Sequence, residues 1–399
     1  MESPKIRRHF NERFNEETHK KFLKNLNDQL PTPIPMRLAE SPLFLSNEFR
    51  DRVIAAANHI MNFIRREDFK QITEKAIPDR WRCTNENDHP HIVTMDFAIT
   101  KDEQGDFAPK LIELQGFPSL HGLEIDMSES YRSVYEIPSN WTIFFNDLTK
   151  EKYIELLRKT IVGRHQPDEV VLMDVNAPQQ KTASDFYFHK KYLDIPIVSL
   201  SDLKQQDKQL FYERNGQTKR IKRIYNRLIF DEVADDPNLF KNNVDIRQDL
   251  DVEWVPHPNW YFRISKWILP LLQGICVLKT FYLSEILDNL PSDLENYVLK
   301  PLFSFGGSNV HVDVTKQIIE NIKDPQNWIL ERKTEYEPVF REDNSFLKAE
   351  IRLMFLWPDD FDDPILTTPC TRLTPAKLIN VAFTKNTKWA GSSVSFIQK

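Results

Sequence analysis

Glycine is scarce in this chain, and cysteine is scarcer still. Nine of the 399 residues are glycine, well under the ~7% of an average protein. The three cysteines, Cys83, Cys276 and Cys370, are odd in number and far apart, which excludes a disulfide framework and a CxxC metal site. This cysteine usage suits a reducing compartment, and we predict a cytoplasmic protein.

Long apolar segments are also missing. The longest one, residues 267–278, is interrupted by Pro270, Gln273 and Gly274 and is too short to span a bilayer. Residues 1–21 are charged throughout and lack the apolar core of a signal peptide. The net charge of −6 argues against a general nucleic-acid binder. We therefore expect neither a membrane nor a nucleic acid among the partners.

The apolar content is nevertheless ample for packed cores. Hydrophobic residues make up 40% of the chain and aromatic residues 12%, which excludes disorder over most of it. A chain of this length usually forms more than one domain. We predict an N-terminal helical region with a strand hairpin in residues 1–160, a parallel βαβ domain in residues 161–254, and an α+β domain in residues 255–399.

Two of the few glycines stand together, in the segment YVLKPLFSFGGSNV (297–310). Gly306 and Gly307 let the backbone N–H groups approach phosphate oxygens, Ser308 adds a donor, and Lys300 precedes them on a predicted strand. Because the lysine comes before the glycines, this is not a Walker A loop. A phosphate-binding loop and an ordinary hairpin turn both fit the pattern.

Two later strands carry charged residues within apolar surroundings. WILERKTEYEP (328–338) places Glu331 and Arg332 where a strand runs into a linker, as a hinge against an adenine edge or as the charged end of an ordinary strand. Arg352, in EIRLMFLW (350–357), can clamp a phosphate or form a structural ion pair. Arg372 belongs to a C-terminal stretch without Asp or Glu after Asp363, so metal ligands must lie upstream.

Candidate metal ligands occur on two neighbouring predicted strands. VTMDFAIT contains Asp96, and KLIELQGFPS contains Glu113 and Gln115. Residues i and i+2 of a strand share a face, so Glu113 and Gln115 point together. Carboxylates within apolar strands are costly unless they are paired or bind a metal. A surface-facing alternation fits this segment equally well.

Taken in order, these segments resemble the circularly permuted ATP-grasp ligases, in particular the glutathionylspermidine synthetase-like and eukaryotic glutathione synthetase-like groups. MDF and PKLIELQGFP (within 95–118) are similar to the metal-binding strands of that family, and RISKWILPLL (263–272) is similar to its first-lysine helix. The resemblance implies an α+β, circularly permuted ATP-grasp fold with a small parallel α/β pre-ATP-grasp domain.

The resemblance also implies the activity. It predicts an ATP-dependent ligase that joins a carboxylate to an amine or thiol through an acyl phosphate, with ATP and Mg²⁺ as cofactors and a small peptide-like or amino-acid substrate. It assigns Mg²⁺ to Asp96, Glu113 and Gln115. Nucleotide binding falls to Lys266, Lys300, Gly306, Gly307, Ser308, Glu331 and Arg332, and the transferring phosphoryl group to Arg372 and Arg352.

Two departures from the family pattern leave other functions open. Gln115 stands where the family has Asn, and Thr94 stands where the synthetase group often has an arginine. A small-molecule kinase on the same frame would transfer the phosphoryl group to a hydroxyl, and a non-catalytic protein would bind ATP without turnover. The expected partners are small carboxylate and amine substrates, and the resemblance implies a homodimer.

Overall fold

The computed structural model of the chain describes residues 1–230, 233, 236, 238–304, 309–342, 345–375 and 387–399. Gly306, Gly307 and Ser308 lie outside these described residues, so the proposed phosphate loop stays a prediction from the sequence.

The α-helices of the described residues are mostly short. They are α1 (Pro4–Asn11), α2 (Glu16–Asn27), α3 (Asn47–Ile64), α4 (Phe69–Ile72), α5 (Leu123–Tyr135), α6 (Lys150–Ile161), α7 (Ala183–Leu193), α8 (Leu239–Asn242), α9 (Pro258–Arg263), α10 (Leu283–Ile286) and α11 (Lys316–Glu320). In this part of the chain no helix combines the length and apolarity needed to cross a bilayer.

Strands occur along most of the chain, from residue 43 to residue 398. They are β1 (Leu43–Leu45), β2 (Ile92–Lys101), β3 (Phe107–Gln115), β4 (Trp141–Thr142), β5 (Val170–Asp174), β6 (Ile197–Ser199), β7 (Lys204–Gln206), β8 (Gln209–Arg214), β9 (Gln217–Ile221), β10 (Arg223–Asn226), β11 (Glu253–Val255), β12 (Thr280–Tyr282), β13 (Tyr297–Pro301), β14 (Trp328–Arg332), β15 (Phe340–Glu342), β16 (Ser345–Leu356), β17 (Ile365–Thr374) and β18 (Gly391–Gln398).

The largest sheet combines strands from both ends of the chain. Its order is β1–β18–β17–β16–β2–β3, with β15 also pairing with β16 and β4 with β18. Only the β1–β18 pair among these is parallel. One face of the sheet packs its apolar residues against α3. The other face is partly covered by α5 and carries the polar side chains of the candidate site.

The described residues form three smaller sheets as well. A parallel sheet has the order β11–β10–β5–β6, a three-stranded sheet the order β12–β14–β13, and a meander the order β7–β8–β9. The parallel pairing of β5 and β6 around α7 confirms the predicted βαβ unit. The mixed architecture is consistent with the predicted α+β class.

Two backbone hydrogen bonds attach the β12–β14–β13 sheet and the linker after it to the large sheet. The amide of Leu111 on β3 donates to the carbonyl of Cys276, at 2.7 Å, just before β12. The amide of Glu337, in the linker after β14, donates to the carbonyl of Ile99 on β2, at 2.8 Å. The β12–β14–β13 sheet, which we call the cover sheet, is therefore held over the β2–β3 side of the large sheet.

Two local predictions were wrong. The sequence VHVDV (310–314) predicts a strand, but it contributes only an isolated bridge between His311 and Leu299. The sequence ISKWILPLL (264–272) predicts an α-helix, but it forms a 3₁₀ helix from Lys266 to Leu271 with Pro270 inside it. Proline lacks the N–H group that would continue an α-helix, which explains the tighter and shorter turn.

Candidate functional site

The strand register gathers charged residues on one face of the large sheet. Asp96 on β2 lies opposite both Glu113 on β3 and Arg352 on β16. Arg372 on β17 lies opposite Glu350 on β16. Residues directly opposite each other in adjacent strands point to the same side. Two strand pairs distant from each other in sequence, β2–β3 and β16–β17, thus place five charged side chains together.

Asp96 is held between two arginines. The Nε and Nη2 atoms of Arg352 donate to Oδ1 and Oδ2 of Asp96 at 2.5 and 2.6 Å, and Arg372 Nη2 also donates to Oδ2. Arg352 Nη1 makes a further hydrogen bond of 3.0 Å to Ser119 Oγ. Burial opposes ionisation of Asp96, but the two guanidinium groups outweigh burial and lower the pKa of this carboxyl group. The carboxylate is therefore charged at neutral pH.

The first predicted lysine pairs with a predicted metal ligand. Lys266 Nζ lies 2.8 Å from Glu113 Oε1, and it donates to the carbonyl of Ser304 at 2.5 Å. Burial opposes the charge on Glu113, but Lys266 reverses that effect and lowers the pKa of the carboxyl group. Lys266 consequently links β3 to the residue that precedes the undescribed glycine segment.

The second predicted lysine pairs with the predicted hinge carboxylate. On adjacent strands of the cover sheet, Lys300 lies opposite Ile329, and Glu331 is two residues further on the same face. Lys300 Nζ donates to Glu331 Oε1 at 2.5 Å and to the carbonyl of Ile112 at 3.1 Å. Burial raises the pKa of Glu331, whose side chain is 2% exposed. The pair joins the cover sheet to β3.

Glu350 completes the arrangement. Its Oε1 accepts a hydrogen bond of 2.6 Å from the hydroxyl of Tyr336, in the linker after β14, and its Oε2 lies 3.7 Å from Arg372 Nη1. Burial raises the pKa of Glu350, and Arg372 only partly opposes that effect. The linker between β14 and β15 is thus anchored to the charged face.

We call the eight ionisable side chains of these pairs the charge cluster. The cluster has four carboxylates and four cations, so its formal charges cancel: Asp96, Glu113, Glu331 and Glu350 against Lys266, Lys300, Arg352 and Arg372. All eight side chains are at most 19% exposed. Charges this far from water must be paired to be stable.

The charge cluster suits the polyphosphate of a nucleotide. Arginine and lysine side chains are the usual partners of phosphate oxygens. Among the described residues, Glu331 Oε2 and Ser304 Oγ are buried without a hydrogen-bond partner. These unpaired atoms belong to residues that Lys300 and Lys266 contact, so polar groups of a ligand can bind beside the two lysines, and the residues present fit ATP.

The donor chemistry of the predicted metal ligands also fits Mg²⁺. Asp96 and Glu113 are cross-strand neighbours, with Gln115 next along the same strand, and Mg²⁺ prefers such oxygen ligands. In the described ranges, however, no three His, Cys, Asp or Glu side chains converge as a metal site would require. Cations of the protein itself engage both carboxylates in this structure.

Gln115 and Arg332, two other predicted site residues, do not belong to the charge cluster. Gln115 is buried opposite Thr94, and Thr94 Oγ1 has no hydrogen-bond partner among the described residues. Arg332 is 48% exposed and pairs with Asp293 at 3.2 Å, and its guanidinium lies over the ring of Tyr297. The structure therefore does not bring Arg332 into the charge cluster.

Sequence reasoning missed several members of this region. Glu350 shares a strand face with Arg352, and the alternation of that strand could have identified it. Tyr336 lies in a linker, and Ser119 follows β3 in a loop, so neither has a local signal. Arg227 donates to the carbonyl of Ser119 at 2.9 Å and lies 3.5 Å from Asp185. This buried pair continues the polar network away from Arg352.

The chain matches no known protein-family profile and, by sequence, no curated protein. A solved structure is similar in fold: a glutathione synthetase-like effector from Globodera pallida, determined in its apo form. The two chains share 11% sequence identity and superpose with a TM-score of 0.59 over 100% of this chain and 98% of the other. The likeness shows a glutathione synthetase-like fold.

Proposed function

We propose that the chain is an ATP-dependent, ADP-forming ligase that joins a small carboxylate to an amine or thiol. The observation that carries the proposal is the charge cluster, in which four cations and four carboxylates meet between the large sheet and the cover sheet. The glutathione synthetase-like fold supports the same reaction class. Fold alone does not determine chemistry, so the residue roles are argued from the cluster.

The cations would bind and orient the phosphates. Lys266 and Lys300 both contact β3, one from the 3₁₀ helix and one from the cover sheet. Arg352 and Arg372 on the large sheet would stabilise the charge of the transferring phosphoryl group, whose transfer depends mainly on positioning and charge neutralisation. Transfer of the γ-phosphoryl group from ATP to the substrate carboxylate would release ADP and form an acyl phosphate. Attack of the amine or thiol on its carbonyl carbon would then form the new bond and release inorganic phosphate.

The carboxylates would bind Mg²⁺ and the adenine base of ATP. Asp96 and Glu113, with Gln115, would hold Mg²⁺, which supplies charge neutralisation to the phosphates when it is bound. Glu331 at the hinge has one oxygen without a partner in the described part of the chain, and we assign it to the amino group of adenine. The cover sheet would exclude water, which otherwise hydrolyses an acyl phosphate.

A non-catalytic nucleotide-binding protein is the second candidate function. The observation that favours it is the engagement of both Asp96 oxygens by Arg352 and Arg372. Thr94 and Gln115 at family-motif positions point the same way. Such a protein would bind MgATP but release no ADP with any combination of carboxylate and amine.

The first experiment is calorimetric titration of MgATP into the wild type and into Lys300→Met. Loss of a buried charged partner weakens binding by about 2 kcal/mol or more, or about 30-fold, so we expect at least that loss. Lys204→Met is a matched control, because Lys204 pairs with Glu213 at 2.9 Å in the same diagonal arrangement on exposed strands. It should bind MgATP as the wild type does.

Turnover then separates the candidates. We expect ADP release that requires both a carboxylate and an amine or thiol from a substrate library. ADP release with a hydroxyl compound alone would instead indicate a kinase, and binding without any ADP release would favour the non-catalytic protein. Absence of MgATP binding to the wild type would overturn the proposed function.

A further inference from the structure

Every cation of the charge cluster already has a carboxylate partner. Lys266 is paired with Glu113 at 2.8 Å and Lys300 with Glu331 at 2.5 Å. The two arginines share Asp96. A polyanion that approaches this face therefore meets a neutral surface, without the positive potential that usually attracts phosphate groups.

Because these ion pairs are buried, it costs free energy for a ligand to bind only the cations or only the carboxylates. Asp96 is 3% exposed and Glu331 2% exposed. When one member of a buried pair is removed, the other is left as an uncompensated charge, at a cost of about 3–5 kcal/mol. A polyphosphate that took the cations alone would leave the carboxylates in that state. A divalent cation that bound the carboxylates alone would leave the arginines and lysines as uncompensated buried charges.

We infer that a polyphosphate and a divalent cation bind the charge cluster together, by exchange of ion-pair partners, and that each binds poorly without the other. This inference rests on the proposed function for the identity of the physiological ligand, but not for the exchange itself. The coupling is reciprocal, so the metal raises the affinity for polyphosphate by the same factor as polyphosphate raises the affinity for the metal.

The coupling is measured by calorimetry on the full chain with ATP and inorganic tripolyphosphate, each with Mg²⁺ or with EDTA, and with Mg²⁺ alone. We expect the metal-free anions to bind the wild type about 100-fold more weakly than their Mg²⁺ complexes. Mg²⁺ alone should show no measurable binding. Metal-free anions that bind within about threefold of the Mg²⁺ complexes would overturn the inference, because coupling energies usually exceed that.

Asp96→Asn tests the cause of the coupling. This change removes the charge that neutralises Arg352 and Arg372, so metal-free tripolyphosphate should bind about tenfold more tightly than to the wild type. Asp245→Asn is the matched control, since Arg247 Nε and Nη2 hold the Asp245 oxygens at 2.7 Å each, in another two-point pair. The control should leave tripolyphosphate affinity unchanged.

Glu350→Gln provides a second variant if Asp96→Asn does not fold. It removes one partner of Arg372 and should raise metal-free tripolyphosphate affinity by a smaller factor, about threefold. No gain in either folded variant would overturn the inference. If the wild type binds the Mg²⁺ complex of tripolyphosphate but not MgATP, and the variants gain metal-free tripolyphosphate binding, the proposed function fails while the inference holds.

Discussion

Glu124 presents a residue-scale feature outside the charge cluster. It lies in the first turn of α5 and is 0% exposed, and neither carboxyl oxygen has a hydrogen bond of ordinary geometry within the described residues. Burial raises the pKa of Glu124 well above its usual value, and the nearby thiol of Cys370 opposes this only in part. The folded protein therefore favours the neutral acid.

The raised pKa predicts a loss of stability with rising pH. A carboxyl group whose folded pKa exceeds its unfolded pKa contributes its full stability below the unfolded pKa and loses it as the pH rises through the folded pKa. Glu124→Gln mimics the neutral acid. Between about pH 5 and pH 8, its free energy of unfolding should therefore fall less than that of the wild type.

Urea unfolding at the two pH values measures this difference. Glu129→Gln is the control, because Glu129 is on the same helix but 48% exposed and paired with Lys150 at 2.7 Å. The control should follow the wild-type pH dependence. If Glu124→Gln does the same, the carboxyl group is ionised in the folded protein and the interpretation of its burial is wrong.

At the residue scale, charge within apolar strands was the predictive signal. The sequence pattern indicated Lys300, Glu331 and Arg352, the family resemblance added Lys266, and the structure brings these side chains together. The same pattern indicated Arg332, yet its side chain points to solvent. Alternation within a strand distinguishes the two faces, and it would have separated Glu331 from its neighbour. The partner of each charge could not be predicted, because the pairs span large sequence separations.

At the element scale, apolar runs identified most of the strands. β2, β3 and β14 were predicted near their observed bounds, and β16 was predicted from residue 350 although it begins at Ser345. The ten-residue strand β17 was missed, since its sequence ILTTPCTRLT contains a proline and four threonines and no apolar run. Its central place between β16 and β18 is a property of the sheet, which pairs it on both sides.

Helix α5 is fixed to the protein by a residue from another helix. Asp185 Oδ1, on α7, accepts hydrogen bonds from the amides of Gly122 and Leu123 at 2.8 and 3.0 Å. The other oxygen lies 3.3 Å from His189 Nδ1 and 3.5 Å from Arg227 Nη1. Asp185 therefore caps α5, which also covers part of the polar face of the large sheet, and neutralises a buried arginine.

Asp185→Ala should lower the free energy of unfolding far more than the loss of an ordinary helix cap does. The change leaves Arg227 as an uncompensated buried charge, and we expect the free energy of unfolding to fall by about 3–5 kcal/mol. Thr149→Ala removes the cap of α6, where Thr149 Oγ1 accepts from the amide of Lys152 at 3.3 Å, and should cost about 1 kcal/mol. Urea unfolding of both variants measures the contrast. Equal costs would show that the cap alone accounts for the effect of Asp185.

At the scale of the whole molecule, the two ends of the chain meet in one sheet. β18, near the C-terminus, lies between β1, which is parallel to it, and β17, which is antiparallel. The strands of the charged face, β2, β3, β16 and β17, continue that same sheet. Local patterns could not predict this meeting of distant segments. The family resemblance predicted N-terminal strands within an ATP-binding core, and the division into three domains stays a prediction.

This arrangement predicts that damage to β18 destabilises the whole sheet. Phe396 is 0% exposed and stacks on Phe44 of β1 with ring centroids 5.7 Å apart. Phe396→Ala removes a buried aromatic side chain and should lower the free energy of unfolding by about 3–5 kcal/mol. Because the sheet includes both ends of the chain, we expect loss of hydrogen-exchange protection in β1 and in β2 as well as in β18.

Phe346→Ala is the control for that experiment. Phe346 is on β16, in the same sheet, but its side chain is 58% exposed, so its loss should change the free energy of unfolding by no more than about 0.5 kcal/mol. Hydrogen exchange followed by mass spectrometry reports each strand separately. If Phe396→Ala weakens protection in β18 and β1 while β2 and β3 keep theirs, the sheet does not unfold as one unit. The charged face would then be stable independently of the chain ends.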